Sequence, residues 1–200
     1  MSEPDAGTAA IVLAAGASTR LGQAKQLIEI EGESLLRRTA RLALEAGCAP
    51  VFVVLGFEAE RLRAELAGLG ATAVIHEHWA EGMGSSLRRG MEMLRAAEAR
   101  AAGVLLLVCD QPGLAVEHLQ RLLAEQGADE NRIAASEYAG RTGVPAVFGR
   151  GFFAELLAIE GDRGAREVMR QHTQAVSAIP WPEGAMDLDR PEDLERLRKT

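Results

Sequence analysis

The sequence predicts a three-layer α/β fold: a mostly parallel, mixed sheet with helices on both faces. Two observations predict it. Short continuous apolar runs at 9–13, 51–55 and 104–108 have the length of strands buried on both faces. Between them lie segments whose apolar residues recur at helical spacing, and that alternation builds parallel sheets through helical crossovers.

Taken in order, the run 9–13 ends in a loop of small residues that begins at Gly16. Residues 27–30 with the turn 31–33 form a short extended piece. Ser34 is a helix N-cap, and Leu35, Leu36, Thr39, Leu42, Ala43 and Ala46 recur at helical spacing until Gly47 stops the pattern. The β-branched run 51–55 is a second strand, 58–69 a charged helix with Leu62, Leu66 and Leu69 inward, and 71–76 a third strand. Gly82, Gly84, Ser85 and Ser86 open a helix with Leu87, Met91 and Leu94 on its inner face. Strand 104–108 leads to Asp110, and helix 114–126 packs through Leu119, Leu122 and Leu123. Residues 132–138 form a fifth strand and 139–143 a turn. Residues 144–148 form a sixth strand, which Pro145 assigns to an edge or a bulge. Helices at 152–157 and 165–172, an apolar segment at 175–179 and a helix from about Pro191 follow. With no internal repeat, low-complexity tract or linker, residues 1–200 read as a single domain.

Charge and composition exclude several functions. The net charge of −7 and the pI of about 5.2 provide no basic footprint for nucleic acid. Aromatic residues are 4% of the chain, too few for a base-stacking platform. Phosphate, if bound, has to be held by a local cluster. No apolar run approaches the roughly 20 residues that span a bilayer. The opening MSEPDAG has neither the basic nor the apolar region of a signal peptide, so a cytoplasmic location is expected. Cys48 and Cys109 stand alone, which suits a reducing compartment, leaves no cysteine zinc site and places both in the core.

Five segments carry chemistry. In the first, residues 11–27, small side chains, Gly16, Gly22, Ser18 and Thr19 precede Arg20 and Lys25; backbone N–H groups and two cations in such a loop cradle an anion. It is no P-loop, because Gln23 and Ala24 separate Gly22 from Lys25, and no dinucleotide fingerprint, because six positions separate Gly16 from Gly22. In the second, Asp110 ends a strand, where it suits either Mg²⁺, shared with substrate phosphates, or a helix N-cap. In the third, Asp187 and Asp189 alternate on an extended piece and face one side; one would complete a two-aspartate metal site, the other cap the helix that Pro191 starts. In the fourth, Gly84, Ser85 and Ser86 offer free N–H groups and hydroxyls for a ribose or base edge. There His76 and His78 read as a surface strand end rather than a metal pair, and Trp79 as a packing lid. In the fifth, Asp162, Arg163 and Arg166 form either a plain loop with Asp162 capping the next helix or a second anion site, with Arg141 and Gly143 opposite.

The opening loop resembles the signature of the nucleotidyltransferase superfamily, roughly L-A-A/G-G-x-S-x-R-(M/L)-G-x-x-K, at Leu13, Ala14, Ala15, Gly16, Ser18, Arg20, Leu21, Gly22 and Lys25. Nearly the whole chain is similar to the cytidylyl-transferring branch of the molybdenum cofactor nucleotidyltransferases, through LAAGASTRLGQAK, WAEGMGSSLRRG, LLVCDQP, GVPAVF, GDRGAR and DLDRPEDL in that order. The resemblance implies a Rossmann-like nucleotidyltransferase fold and a Mg²⁺-dependent enzyme that releases pyrophosphate from CTP. The first loop would wrap the triphosphate, Arg20 and Lys25 would meet its charge, and Asp110 would carry Mg²⁺. Related guanylyl-transferring enzymes usually have L-A-G-G, so Ala15 points to CTP. His76 departs from the asparagine often found three positions before the tryptophan, and Arg190 from the threonine of D-x-D-T-P. The acceptor implied is molybdopterin, with a molybdenum hydroxylase as possible partner. The competing readings are a sugar or polyol phosphate acceptor and an inactive molybdenum cofactor carrier, for which a metal ligand beside a triphosphate loop would have no use.

Overall fold

The computed structural model describes residues 7–97 and 100–197; most of the opening MSEPDAG therefore lies outside the described residues. Strand β1 (Thr8–Ala14) runs into the loop 15–24, and a small hairpin of β2 (Glu29–Ile30) and β3 (Glu33–Ser34) leads to α1 (Leu35–Glu45). Ser34 caps that helix, its hydroxyl accepting from the Arg37 N–H at 3.3 Å. There follow β4 (Val51–Leu55), α2 (Ala59–Glu65), β5 (Ala71–Ile75), α3 (Met83–Ala96), β6 (Gly103–Val108) and α4 (Val116–Gln126). Next come β7 (Ile133–Tyr138), β8 (Arg141–Gly149), α5 (Phe153–Leu157), α6 (Arg166–Gln171), β9 (Val176–Pro180) and α7 (Pro191–Leu197).

Seven strands form one sheet in the order β5-β4-β1-β6-β8-β7-β9. Of these, β8 alone runs against its neighbours; the β1–β4, β1–β6, β4–β5 and β7–β9 pairs are parallel. The apolar segment 175–179 thus becomes β9, on the edge of the sheet. Alternation along the strands feeds two cores. Ala10, Val12, Val53 and Leu107 meet Leu36, Ala40, Leu62 and Leu119 of α1, α2 and α4. Ile11, Val54 and Leu106 meet Leu87, Met91, Leu156 and Val168 of α3, α5 and α6 on the other face. The three layers expected from sequence are present, with Cys48 and Cys109 both buried. Burial pushes each thiol up to about 12.

Of the edge or the bulge expected at Pro145, the strand shows the bulge. β8 is interior, between β6 and β7, and the turn assigned to 139–143 shrinks to Ala139 and Gly140, both at positive φ, between the paired Tyr138 and Arg141. Proline is tolerated there because the ladder skips it: Ala135 pairs with Ala146 and Ser136 with Gly143, so Val144 and Pro145 form a bulge. Their freed carbonyls are taken by side chains. Ser136 Oγ donates to Pro145 O at 2.6 Å, and Tyr138 Oη donates to Val144 O at 3.0 Å.

Among the described residues, no helix is long and apolar enough to cross a membrane.

Candidate active site

β1 and β6 pair in parallel as far as Leu13 and Val108, so the segments leaving their carboxyl ends start side by side. Ligands of open α/β sheets bind at such a place. From β1 the chain makes the loop 15–24 and then a single 3-10 turn, Lys25–Leu27, that carries Lys25 back over the sheet end. Gln26 holds this excursion closed: buried at 1% exposure, its Nε2 donates to Ala14 O at 2.9 Å and to Gly16 O at 2.7 Å.

Lys25 meets the acids there. Its ammonium lies 2.5 Å from Asp110 Oδ2 and 3.0 Å from Asp189 Oδ1. Burial of Lys25 opposes its charge, but the charges and hydrogen bonds of Asp110 and Asp189 outweigh that and hold its pKa above the ordinary lysine value. The closing segment reaches this spot because Leu188 N–H donates to Asp110 O at 2.9 Å. Leu188 is fully buried, which turns its neighbours Asp187 and Asp189 to the opposite side, as the alternation predicts. Burial first, and then the charges of Asp110 and Asp189, push the Asp187 carboxyl up to about 6. The capping alternatives fall away. The N-cap of α4 is Ala115, and the amides of Asp189 and Arg190 at the start of α7 donate to Asp193 Oδ2.

Two cavities meet at Asp110. One, of about 360 Å³, is lined by Leu13, Ala14, Ala15, Gly16, Lys25, Gln26, Trp79 and Ser86 as well as Asp110. The other, of about 440 Å³, is lined by Asp110, Gln111, Tyr138, Arg141, Gly143, Asp162, Arg163, Arg166 and Asp187. All four residues assigned from sequence to a second anion site, Arg141, Gly143, Asp162 and Arg166, therefore share one cavity. Asp162 is not a helix cap, since the N-cap of α6 is Ala165 with no side-chain bond. Gly143 is needed by close approach, because a Cβ there would stand 2.5 Å from Tyr138 Oη.

The first cavity gathers only part of its expected set. Gly84, Ser85 and Ser86 are successive helix residues and so point three ways; only Ser86 lines the cavity. The N–H of Gly84 donates to Gly161 O at 2.9 Å. Ser85 Oγ donates to Gly82 O at 2.8 Å and lies 2.9 Å from Nε2 of His76, which is buried rather than at a surface strand end. Burial lowers the His76 pKa. In the loop, Ser18 and Gly22 take positive φ and form the turn instead of the cavity wall. Ser18 Oγ accepts from Lys25 N–H at 3.4 Å. Leu21 is buried, which turns the adjacent Arg20 outward; Arg20 is exposed and lines neither cavity. Trp79 is a lid, edge-on to Phe57 with centroids 5.8 Å apart, and a wall of the cavity as well.

Sequence reasoning missed Gln26, Gln111 and Tyr138, whereas Arg163, expected with Arg166 in the second anion site, lines the larger cavity. For Gln111 a signal existed, a polar residue between a strand-end acid and a proline. For Gln26 there was none beyond its place next to Lys25.

The residues fit a hard divalent cation. Carboxylate oxygens of Asp110 and Asp189 already converge on one cation, the Lys25 ammonium, and a pair of acidic oxygens is the donor set that Mg²⁺ takes. Among the described residues no group of three or more His, Cys, Asp or Glu is arranged to hold a metal ion; a cation held by two carboxylates would share substrate phosphates and water.

Residues 10–176 match the model of the MobA-like NTP transferase domain. The chain is 32% identical over 198 residues to nicotine blue oxidoreductase of Paenarthrobacter nicotinovorans, covering 94% of each chain. It is 32% identical over 190 residues to a probable molybdenum cofactor guanylyltransferase of Nostoc sp., covering 92% of this chain and 87% of the relative. Among solved structures it is similar to Rv0371c from Mycobacterium tuberculosis H37Rv, with a TM-score of 0.81, 32% identity and coverage of 98% of this chain and 100% of that one. A complex of Rv0371c with manganese matches with a TM-score of 0.78 and 30% identity, covering 97% and 99%. Family match and cleft geometry agree, and the chain is a nucleotidyltransferase of the MobA-like NTP transferase family.

Proposed function

We propose that this nucleotidyltransferase moves a cytidylyl group from CTP to a phosphate-bearing acceptor of the molybdopterin type, releasing pyrophosphate. The observation that carries the reading is the meeting of two cavities at Asp110, one walled by the glycine loop and Lys25, the other by arginines. A triphosphate in the first and an acceptor phosphate in the second would bring the α-phosphorus and the attacking oxygen together beside Asp110. A phosphate oxygen of the acceptor then forms a bond to the α-phosphorus as the bond to the bridging oxygen of pyrophosphate breaks. No side-chain nucleophile takes part, so the protein contributes positioning and charge stabilisation.

Lys25, in the wall of the first cavity, would neutralise the leaving pyrophosphate. Arg20, exposed on the loop, can reach a triphosphate only from outside the cavity. Arg141 and Arg166 would seat the acceptor phosphate. Asp110 with Asp189 would hold Mg²⁺, which when bound supplies charge to the phosphates. Asp187, on the acceptor side, is the less direct candidate ligand.

The choice of CTP rests on Ala15, which is 4% exposed and lines the first cavity, where its methyl narrows the space for a base. The name of the Nostoc relative favours a second reading, guanylyl transfer from GTP. A molybdenum hydroxylase is the partner that would receive the product. A thermal-shift panel of CTP, GTP, ATP and UTP with Mg²⁺ tests the donor, since a ligand that binds only the native state raises its stability. Pyrophosphate release from the preferred nucleotide on adding molybdopterin or sugar phosphates tests the acceptor. The largest shift with CTP and release with molybdopterin are expected; the largest shift with GTP selects the second reading, and release with sugar phosphates alone removes the pterin.

A further inference from the structure

We propose that Gln111 determines acceptor specificity: its side-chain carbonyl accepts hydrogen bonds from an N–H edge of a flat heterocycle such as a pterin. The proposal rests on the acceptor reading above and deepens it. Gln111 follows Asp110 at the end of β6, is 4% exposed and lines the larger cavity. Its amide orientation is imposed by the bulge. Nε2 donates to Val144 O at 3.2 Å and to Tyr138 Oη at 3.3 Å, while Tyr138 Oη donates to the same carbonyl at 3.0 Å. A carbonyl can only accept, so reversing the amide would set oxygen against oxygen. What remains is Oε1, buried and without a hydrogen-bond partner. Buried acceptors without a donor are rare in folded proteins, and one beside a ligand cavity marks where a ligand donates.

The rest of the cavity selects the ligand's other features. Arg141, Arg163 and Arg166 line it, and none makes an ion pair among the described residues, so an anionic group is matched. Arg141 lies over the Tyr138 ring, 5.8 Å from its centroid. Met83, Val108 and Met169 supply apolar wall. A flat ring with N–H groups on one edge satisfies Oε1 and covers that wall; a polyol would leave hydroxyls against it.

The test compares 6-hydroxymethylpterin phosphate, its analogue methylated at the ring nitrogen and the exocyclic amine, and glycerol 3-phosphate, by calorimetry on the intact protein. The wild type is expected to bind the pterin phosphate about tenfold more tightly than either of the others. Gln111→Leu should remove that preference while leaving glycerol 3-phosphate and CTP with Mg²⁺ unchanged, and Arg166→Ala should weaken both natural phosphates alike. The comparison of ligands on wild-type protein holds even if the leucine variant folds poorly. Equal binding of the pterin and its methylated analogue, or a parallel loss of pterin and glycerol phosphates in Gln111→Leu, overturns the role of Gln111 and leaves the acceptor reading standing. Failure of the wild type to bind either natural phosphate overturns the acceptor reading, and the proposal with it.

Discussion

The backbone N–H of Leu188 donates to the carbonyl oxygen of Asp110 at 2.9 Å, and this bond joins the closing segment to the end of β6. It places Asp189 on the same lysine as Asp110, across a separation of 164 positions between Lys25 and Asp189. The cluster of Lys25, Asp110 and Asp189 is therefore built from three distant parts of the chain, and its members differ in what their loss should do.

Asp110→Asn removes a charge at the junction of both cavities while keeping size and shape. Pyrophosphate release should fall at least about 100-fold, in the range typical for removing one preorganised electrostatic contact. The melting temperature should move by no more than a few degrees, because Lys25 retains Asp189. Activity within a factor of two of wild type in a steady-state assay would remove Asp110 from the site.

Lys25→Ala leaves the Asp110 and Asp189 carboxylates without their shared ammonium. The free protein should lose on the order of 1 kcal/mol, the scale of a partly exposed ion pair. Adding Mg²⁺ without nucleotide should restore more stability to the variant than to wild type, because the metal no longer competes with an ammonium. Calorimetric melting with and without Mg²⁺ checks this; a variant indifferent to the metal would show that the aspartates do not form a cation site.

Gly84→Ala tests how α3 is seated. A Cβ at Gly84 would lie 2.7 Å from Arg163 O and 2.8 Å from Gly161 O, and both are backbone atoms that cannot turn aside. The cost should be about 1–3 kcal/mol, as for overpacking elsewhere. Since the displaced loop carries Asp162 and Arg163, acceptor binding should weaken more than CTP binding. Chemical denaturation together with the two binding isotherms gives the comparison.

His118 sets a pH dependence away from the cleft. It is buried, its Nε2 lies 2.7 Å from Ser136 Oγ, and its ring stacks on Trp181 with centroids 4.7 Å apart. Ser136 Oγ donates to Pro145 O, so His118 carries its proton on Nε2, and Nδ1 accepts from Arg121 at 3.0 Å. Burial, with help from Arg121, pushes its pKa down to about 4. Between the ordinary value near 6.5 and about 4, the unfolded chain holds a proton that the folded chain does not, so stability is present above that window and lost as pH falls through it. Urea unfolding at pH 7 and pH 5 should differ by about 1–2 kcal/mol from this residue, and His118→Gln should reduce the difference. An unaltered difference in the variant would contradict the assignment.

Much of the fold was readable because single-residue patterns govern it. Leu35, Leu36, Thr39 and Leu42 show their helix by spacing, and Val51–Leu55 shows a strand buried on both faces by its composition. Pro145 pointed to an edge or a bulge and could not choose between them, because a proline's tolerance in a sheet depends on the partner strand's register, which no local pattern carries. Lys25, Asp110, Asp187 and Asp189 were legible at the site, since charged residues at strand ends and on extended pieces have few structural uses. Ser85, Gly84 and Arg20 were not. The partner of a serine is decided by which way its helix faces, and the outward turn of Arg20 by the burial of Leu21. Gln26 and Gln111 were hidden for a related reason: a buried amide looks like any loop amide until the carbonyls that fix it are in place.

The structure of the protein with CTP and Mg²⁺ is the most direct measurement of the central claim. The triphosphate should lie between the loop 15–24 and Asp110, with Lys25 on its phosphates, the metal on Asp110 and Asp189, and the arginine-lined cavity left open for the acceptor. A nucleotide seated among Arg141, Arg163 and Arg166, or a metal away from Asp110, would contradict it.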